Sequence, residues 1–205
     1  MTLYTSSFCG VPLTTGDVIC TTDGEADSLL GRFWRMMGRL APGDVDHCIV
    51  YLGPNGRCIE SGARGVIVFT MPGEVWDAAA LVQERWLLDR FYGVVYPLAG
   101  LSLSLDDELR IRENVARFCL EQAIFSKPYN LNFFDPDTDG AFYCSQLIYK
   151  AYLAEGINLN VNQGMPDDLL ARIVFPQELW DTCAHVKYEP PGAMGSASGR
   201  VETLG

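Results

Sequence analysis

The sequence predicts an α+β fold in which an antiparallel sheet or partial barrel packs against helices. Two observations carry that expectation. Short β-rich runs joined by tight turns crowd the first half of the chain, and two long helical stretches follow as a group instead of alternating with strands. With 205 residues, 48% hydrophobic and 20% charged, the chain has the ordinary composition of one well-buried domain. That domain is expected over residues 1–189. The remaining stretch, 190–205, is rich in Gly, Ser, Ala and Pro and predicts a flexible tail.

LTTGDVICT, residues 13–21, reads as a first strand entered through the Gly16-Asp17 turn. Next, Leu29, Leu30, Phe33, Trp34, Met36, Met37 and Leu40 share one broad helical face, with Arg32, Arg35 and Arg39 around the other, as in a core-packing helix. HCIVYLGPNGRCIESGARGVIVF, residues 47–69, gives two or three short strands separated by Gly-Pro-Asn-Gly and Gly-Ala-Arg-Gly. AALVQERWL, residues 79–87, fits a strand by length and by its Val, Trp and Leu content, and a short helix is also open. Residues 104–125 predict a strong helix with Ser104 as N-cap, Asp107 three residues on, and Leu109, Val115, Phe118 and Cys119 as buried candidates. KPYNLNFFDPDTDG is an irregular connection. FYCSQLIYKAYLAEGI, residues 142–157, is an amphipathic helix with Leu147, Ile148, Tyr152 and Leu153 at helical spacing and Gly156 as its stop. Residues 173–188 suggest a short turn and a closing strand.

The formal net charge of −11 repels phosphate backbones and anionic headgroups, so nucleic acid is not an expected partner. No apolar run reaches the length of a bilayer span, and MTLYTSSFCGVPLTTGD has neither a basic leader nor the apolar core of a signal peptide. A soluble, cytoplasmic protein is therefore expected. Seven cysteines, Cys9, Cys20, Cys48, Cys58, Cys119, Cys144 and Cys183, form no C-x-x-C pair, and their odd count and scattered spacing argue for reduced thiols. With only His47 and His185 as histidines and no paired ligands, no metal and no cofactor is expected.

Cys144 stands at the predicted helix start. Unpaired N–H groups and a partial positive charge there favour a thiolate, as a cysteine nucleophile requires. Such a nucleophile needs a base that takes its proton and returns it to the leaving group, which imidazole does near neutrality. His47 opens a strand, which places it at a sheet edge facing a cleft, and is preferred to His185, which suits a surface or packing role.

DHCIVYLGPNGRCIESG followed by FYCSQLIYKAY resembles the circularly permuted branch of the NlpC-type papain-like hydrolases, the YiiX-like proteins, in which the histidine strand precedes the cysteine helix. The likeness spans roughly residues 13–185 and takes in Gly16-Asp17, the His-x-x-x-Tyr-Leu-Gly strand at 47–53, Glu60-Ser61-Gly62, Pro128-Tyr129 and Tyr143-Cys144-Ser145. It implies a permuted papain-like fold with Cys144 as nucleophile, His47 as base and then acid, and Glu60 as the residue that orients the imidazole. It also implies that Tyr129, with the Cys144 backbone N–H, binds the developing oxyanion, and that Ser145 belongs to the same oxyanion and substrate-binding group. Asn130 and Gln146 depart from the acidic residues common there, and Ser126-Lys127 replaces a frequent glycine; these departures are expected to affect the rim and substrate preference.

Two hairpin registers are open. A two-residue turn at Asn55-Gly56 pairs Glu60 with Tyr51, about 13 Å along the strand from His47. A turn centred on Gly53-Pro54 puts Glu60 opposite His47, and the resemblance favours this one. The expected function is a cysteine peptidase or amidase acting on a peptide or an acylated small molecule through an acyl-enzyme. Lipid ester hydrolysis or acyl transfer, as in the lecithin retinol acyltransferase group, is the second reading. That group typically follows its cysteine with Glu-His-Phe, whereas this chain has Ser145-Gln146-Leu147. A non-catalytic lipid- or peptide-binding module is the third.

Overall fold

The structure is a computed structural model, and it describes residues 2–23, 43–160 and 172–191. The helix expected from Leu29 to Leu40, and the tail from residue 192 onward, lie outside them. The described strands are β1 (Thr5–Phe8), β2 (Val11–Thr14), β3 (Val18–Asp23), β4 (His47–Tyr51), β5 (Arg57–Gly62), β6 (Gly65–Thr70), β7 (Asp89–Tyr96) and β8 (Ala184–Lys187). The described helices are α1 (Ala78–Arg85), α2 (Leu105–Ile124), α3 (Cys144–Leu153) and α4 (Pro176–Thr182). The fold class is α+β. Six strands form one sheet in the order β6-β5-β4-β3-β7-β8, every neighbouring pair antiparallel, and β1 and β2 form a separate hairpin.

Side-chain alternation along these strands builds two cores, one on each face of the sheet. On one face Val18, Cys20, Cys48, Val50, Ile59 and Val95 meet α2, α3 and α4 through residues such as Val115, Leu147 and Leu179. On the other, Ile19, Ile49, Tyr51, Cys58, Phe69 and Val94 are covered by Phe8, Val11 and Leu13 of the β1–β2 hairpin and Leu81 of α1. Because both faces are covered, all five residues of β4 are buried. β4 is also an interior strand, so His47 does not lie on a sheet edge; it stands at the open end of an inner strand.

Several elements differ from their sequence reading for local reasons. The run at 13–21 is divided by the Thr15-Gly16 turn, where Gly16 has φ +95° and the Asp17 carboxylate accepts the Thr14 N–H at 2.7 Å. Residues 78–85 are helical: Asp77 caps the N-terminus by accepting the Ala80 N–H at 3.0 Å, and Trp86 in the left-handed region (φ 57°) ends it. The expected turn before β8 is a helix that Pro176 opens at its first turn. In α2, Ile111, Arg112, Val115, Ala116 and Cys119 face inward, Phe118 is half-buried and Leu109 is 39% exposed. Leu153, at the end of α3, is 43% exposed. Both leucines fall beside the stripe that packing selects.

The β4–β5 hairpin takes neither expected register. Asn55 (φ 60°) and Gly56 (φ 78°) form a tight turn closed by the Arg57 N–H donating to the Pro54 carbonyl at 3.3 Å. Then the N–H groups of Leu52 and Gly53 both donate to the Arg57 carbonyl, at 2.8 and 3.1 Å, a bulge in the β4 side. The ladder therefore resumes with Tyr51 opposite Cys58 and Val50 opposite Ile59. Carried on, this register sets Glu60 across from Ile49, on the face His47 shares and one diagonal step from it.

Candidate active site

The helix α3 begins at Cys144, with Tyr143 in extended conformation before it. Its Leu147, Ile148, Ala151 and Tyr152 are buried against the sheet, and the Tyr152 hydroxyl donates to the Gly16 carbonyl at 2.7 Å. The last contact pins the C-terminal end of the helix near the far end of β4, where the Gly16 N–H donates to the Tyr51 carbonyl at 2.9 Å. The Cys144 and Ser145 N–H groups lie in the first helical turn, where no intrahelical acceptor exists.

His47 bridges the two faces of the sheet. Its Nε2 meets Glu60 Oε2 at 2.8 Å, and its ring and the Cys144 sulfur lie close enough for each to shift the other's pKa. A glutamate reaches across the diagonal that the ladder imposes, and Gly62 leaves room for it, since a Cβ there would stand 3.2 Å from Glu60 Oε1. His47 also lines a pocket with Thr21, Asp46, Gly62, Leu88 and Asp89, whose walls include neither Cys144 nor Tyr129.

The electrostatics run in opposite directions at the two partners. For Cys144 the largest influence is a hydrogen bond from the Cys48 thiol, which with the charge and hydrogen bond of His47 outweighs burial and holds its pKa well below the usual cysteine range. Burial alone would lower the His47 pKa; the Cys144 thiolate, by charge and hydrogen bond, and then Glu60, reverse this and raise it to about 10. Both shifts favour a thiolate beside an imidazolium. Cys20, Cys58, Cys119 and Cys183 are shifted upward, each by burial first, and Cys48 is raised by burial and by the neighbouring Cys144 charge.

Glu60 is 1% exposed, yet its pKa is lowered to about 2 because the charge of Arg85 and the bond to His47 overcome burial. Arg85 is fully buried: its Nε donates to Glu60 Oε1 at 3.0 Å, its Nη2 to Glu60 Oε2 at 2.7 Å, and its Nη1 and Nη2 to the two Asp89 oxygens at 2.9 Å each. Sequence reading did not single out Arg85. Its only local hint is the i,i+4 spacing to Asp89 at a helix end.

Tyr129 reaches the site through backbone pairing. The Val66 N–H donates to the Lys127 carbonyl at 2.8 Å, and a parallel bridge sets Tyr129 beside Phe142, two residues before Cys144. The phenol feels the Cys144 charge, and burial first, then that charge, raises its pKa well above the usual tyrosine range, so it remains a donor. Ser145 is placed differently. Its hydroxyl, fully buried, donates to the Val174 carbonyl at 2.6 Å, so only its backbone N–H faces the role expected of it. His185 stacks on Trp180 at 4.2 Å between centroids and sits 3.0 Å by its Nδ1 from the Cys183 carbonyl, in a packing role.

Asn130 and Gln146 are not rim residues. Both are buried; Asn130 Nδ2 donates to Gln146 Oε1 at 3.1 Å, and Gln146 also accepts the Tyr143 N–H and donates to the Pro136 carbonyl. They tie the irregular connection to the start of α3. Among the described residues no cluster of His, Cys, Asp and Glu could hold a metal ion, and no helix is long and apolar enough to cross a membrane. Comparison of the chain with protein-family models, with curated proteins and with solved structures finds no match in any of the three.

Proposed function

We propose that this protein is a cysteine hydrolase that cleaves an amide bond of a peptide or acylated small molecule, with a circularly permuted NlpC-type papain-like arrangement. The single observation that carries this reading is the line Cys144–His47–Glu60, with the cysteine at a helix N-terminus. In the first half-reaction the Cys144 thiolate attacks the carbonyl carbon, and the resulting oxyanion is stabilised by the Cys144 N–H and the Tyr129 hydroxyl. The His47 imidazolium then gives its proton to the leaving nitrogen as the C–N bond breaks, leaving a thioester.

Acylation changes the base. The thiolate is what raises His47, so once the sulfur is esterified, burial pulls the ring back toward neutrality and His47 can take a proton from water. Hydroxide equivalent adds to the thioester, the C–S bond breaks, and the acid product leaves the thiolate–imidazolium pair restored. Glu60 holds the ring throughout.

Iodoacetamide at mildly acidic pH, with adducts located by mass spectrometry, tests the pair. Cys144 should label first, and His47→Ala should slow it about 100-fold with the fold intact. A first adduct at Cys9 or Cys183, or equal rates with and without His47, would sink the enzyme reading. A screen of amide against ester substrates then separates peptidase chemistry from lipid ester or acyl-transfer chemistry.

A further inference from the structure

We infer that Arg85 is a positioning residue for the hydrolytic site: it acts through Glu60 by fixing which carboxylate oxygen meets His47. The inference rests on the reading of Cys144 and His47 as a catalytic pair and extends it to a residue that touches neither. Arg85 Nη2 and His47 Nε2 share the same oxygen, Glu60 Oε2, at 2.7 and 2.8 Å, while Arg85 Nε holds Oε1 at 3.0 Å. A guanidinium fork occupying both oxygens leaves the carboxylate no freedom to rotate away from the ring.

Arg85 is itself over-determined. It lies at the end of α1, and the left-handed Trp86 turns the chain so that Asp89, at the start of β7, receives the other edge of the fork. Phe69 and Trp76 cover the guanidinium, 4.7 and 5.0 Å from their ring centroids. Asp89 in turn accepts from Thr21 Oγ1 at 2.7 Å and from Trp76 Nε1 at 3.1 Å, and Thr21 pairs with His47 in the β3–β4 ladder. The contacts close a ring through β4, β5, α1, β7 and β3, back to the strand that carries the base.

Charge makes the positioning consequential. Arg85 lies between Glu60 and Asp89; without it two buried carboxylates would face one imidazolium, and the cheapest response is to protonate one of them. A protonated Glu60 no longer supports the imidazolium, and the Cys144 thiolate loses its partner at acidic pH. The other titratable groups facing the site are Cys144 on α3, Cys48 beside His47 on β4, Tyr129 before α3, Cys58 on the strand of Glu60, and Asp46 at the pocket.

The test is the pH dependence of Cys144 alkylation by iodoacetamide in the full chain, with melting temperature measured alongside. Arg85→Met is expected to move the acid limb of the profile up by about one pH unit, slowing labelling at pH 5–6 about tenfold. In a Glu60→Gln background the same substitution should change the profile no further, because its effect passes through Glu60. If Arg85→Met does not fold, Arg85→Lys decides: it keeps the charge and loses the fork, and labelling slowed about threefold supports the inference. A lowered melting temperature with a wild-type labelling profile, in either variant, reduces Arg85 to a structural residue and overturns it. Wild-type protein that labels first at another cysteine overturns the catalytic reading instead, so the two failures are distinguishable.

Discussion

Among the described residues two arginines are buried against carboxylates, and the pKa values of those carboxylates move in opposite directions. Arg112, on α2, donates to Asp17 Oδ1 at 2.7 Å and to the Thr15 carbonyl at 2.9 Å, and reaches Glu108 at 2.9 Å by its Nε. Asp17 accepts one further bond, from the Thr14 N–H, and burial still raises its pKa above the ordinary aspartate value. Glu60 is as well buried, but takes three contacts from Arg85 and one from His47, and its pKa falls to about 2. One guanidinium contact does not offset the desolvation of a carboxylate; a full fork and an imidazole do. The Asp17 corner, at the Gly16-Asp17 turn, ties α2 to the β2–β3 turn, whereas the Glu60 clamp holds a carboxylate against the His47 ring.

The largest effect should come from removing each arginine. Arg85→Met strands two buried carboxylates, Glu60 and Asp89, and is expected to cost about 3–5 kcal/mol in urea denaturation, whereas Arg112→Met strands one, Asp17, and should cost about 1–3 kcal/mol. Equal losses would erase the distinction between the two pairs.

Acid titration sharpens the contrast by sign. The folded Glu60 pKa of about 2 lies below its unfolded value of 4.5, so its contribution is present above pH 4.5 and is lost as pH falls toward 2. That contribution is on the order of 3 kcal/mol. Asp17 is shifted upward, so it favours the fold at low pH and loses that advantage as pH rises through 3.8 toward its folded value. Urea midpoints followed from pH 2 to 7 should therefore flatten in Glu60→Gln and steepen in Asp17→Asn. The same slope in both variants would refute the assignment.

Neutral contacts set the scale below these. Ser145→Ala removes the donor to the buried Val174 carbonyl and should cost about 1–2 kcal/mol while the Cys144 labelling rate stays within about twofold. A large loss of labelling at full stability would return the Ser145 hydroxyl to the site. Ser104→Ala, at the exposed N-cap of α2, should cost about 0.5–1 kcal/mol and leave labelling unchanged.

Cys144 at a helix start and His47 at a strand start were legible because each follows from a local period: 3.6 residues after position 144, two after position 47. The polar line that joins them was only partly legible. Glu60 came from a resemblance, and its route to His47 depends on a bulge whose signal, Gly53, is shared with a turn the sequence also allows. Arg85 was hidden in a run that fits strand or helix, with its main partner 25 positions away. The β1–β2 hairpin was missed because its turn places Cys9 at φ 50° before Gly10 at φ 80°, and cysteine is no turn former.

The bulge at Leu52-Gly53 bears on how the chain tolerates change in length. It lies about 16 Å along β4 from His47, yet it decides which β5 side chains point toward that ring. A single-residue insertion or deletion between Leu52 and Arg57 turns the strand over, so that Ser61 takes the face of Glu60 and the carboxylate enters the apolar side beneath α2 and α3. A two-residue change preserves the faces and slides Glu60 one step toward or away from the ring. The tip of this hairpin is thus a parity lock on the site, open to even changes and closed to odd ones.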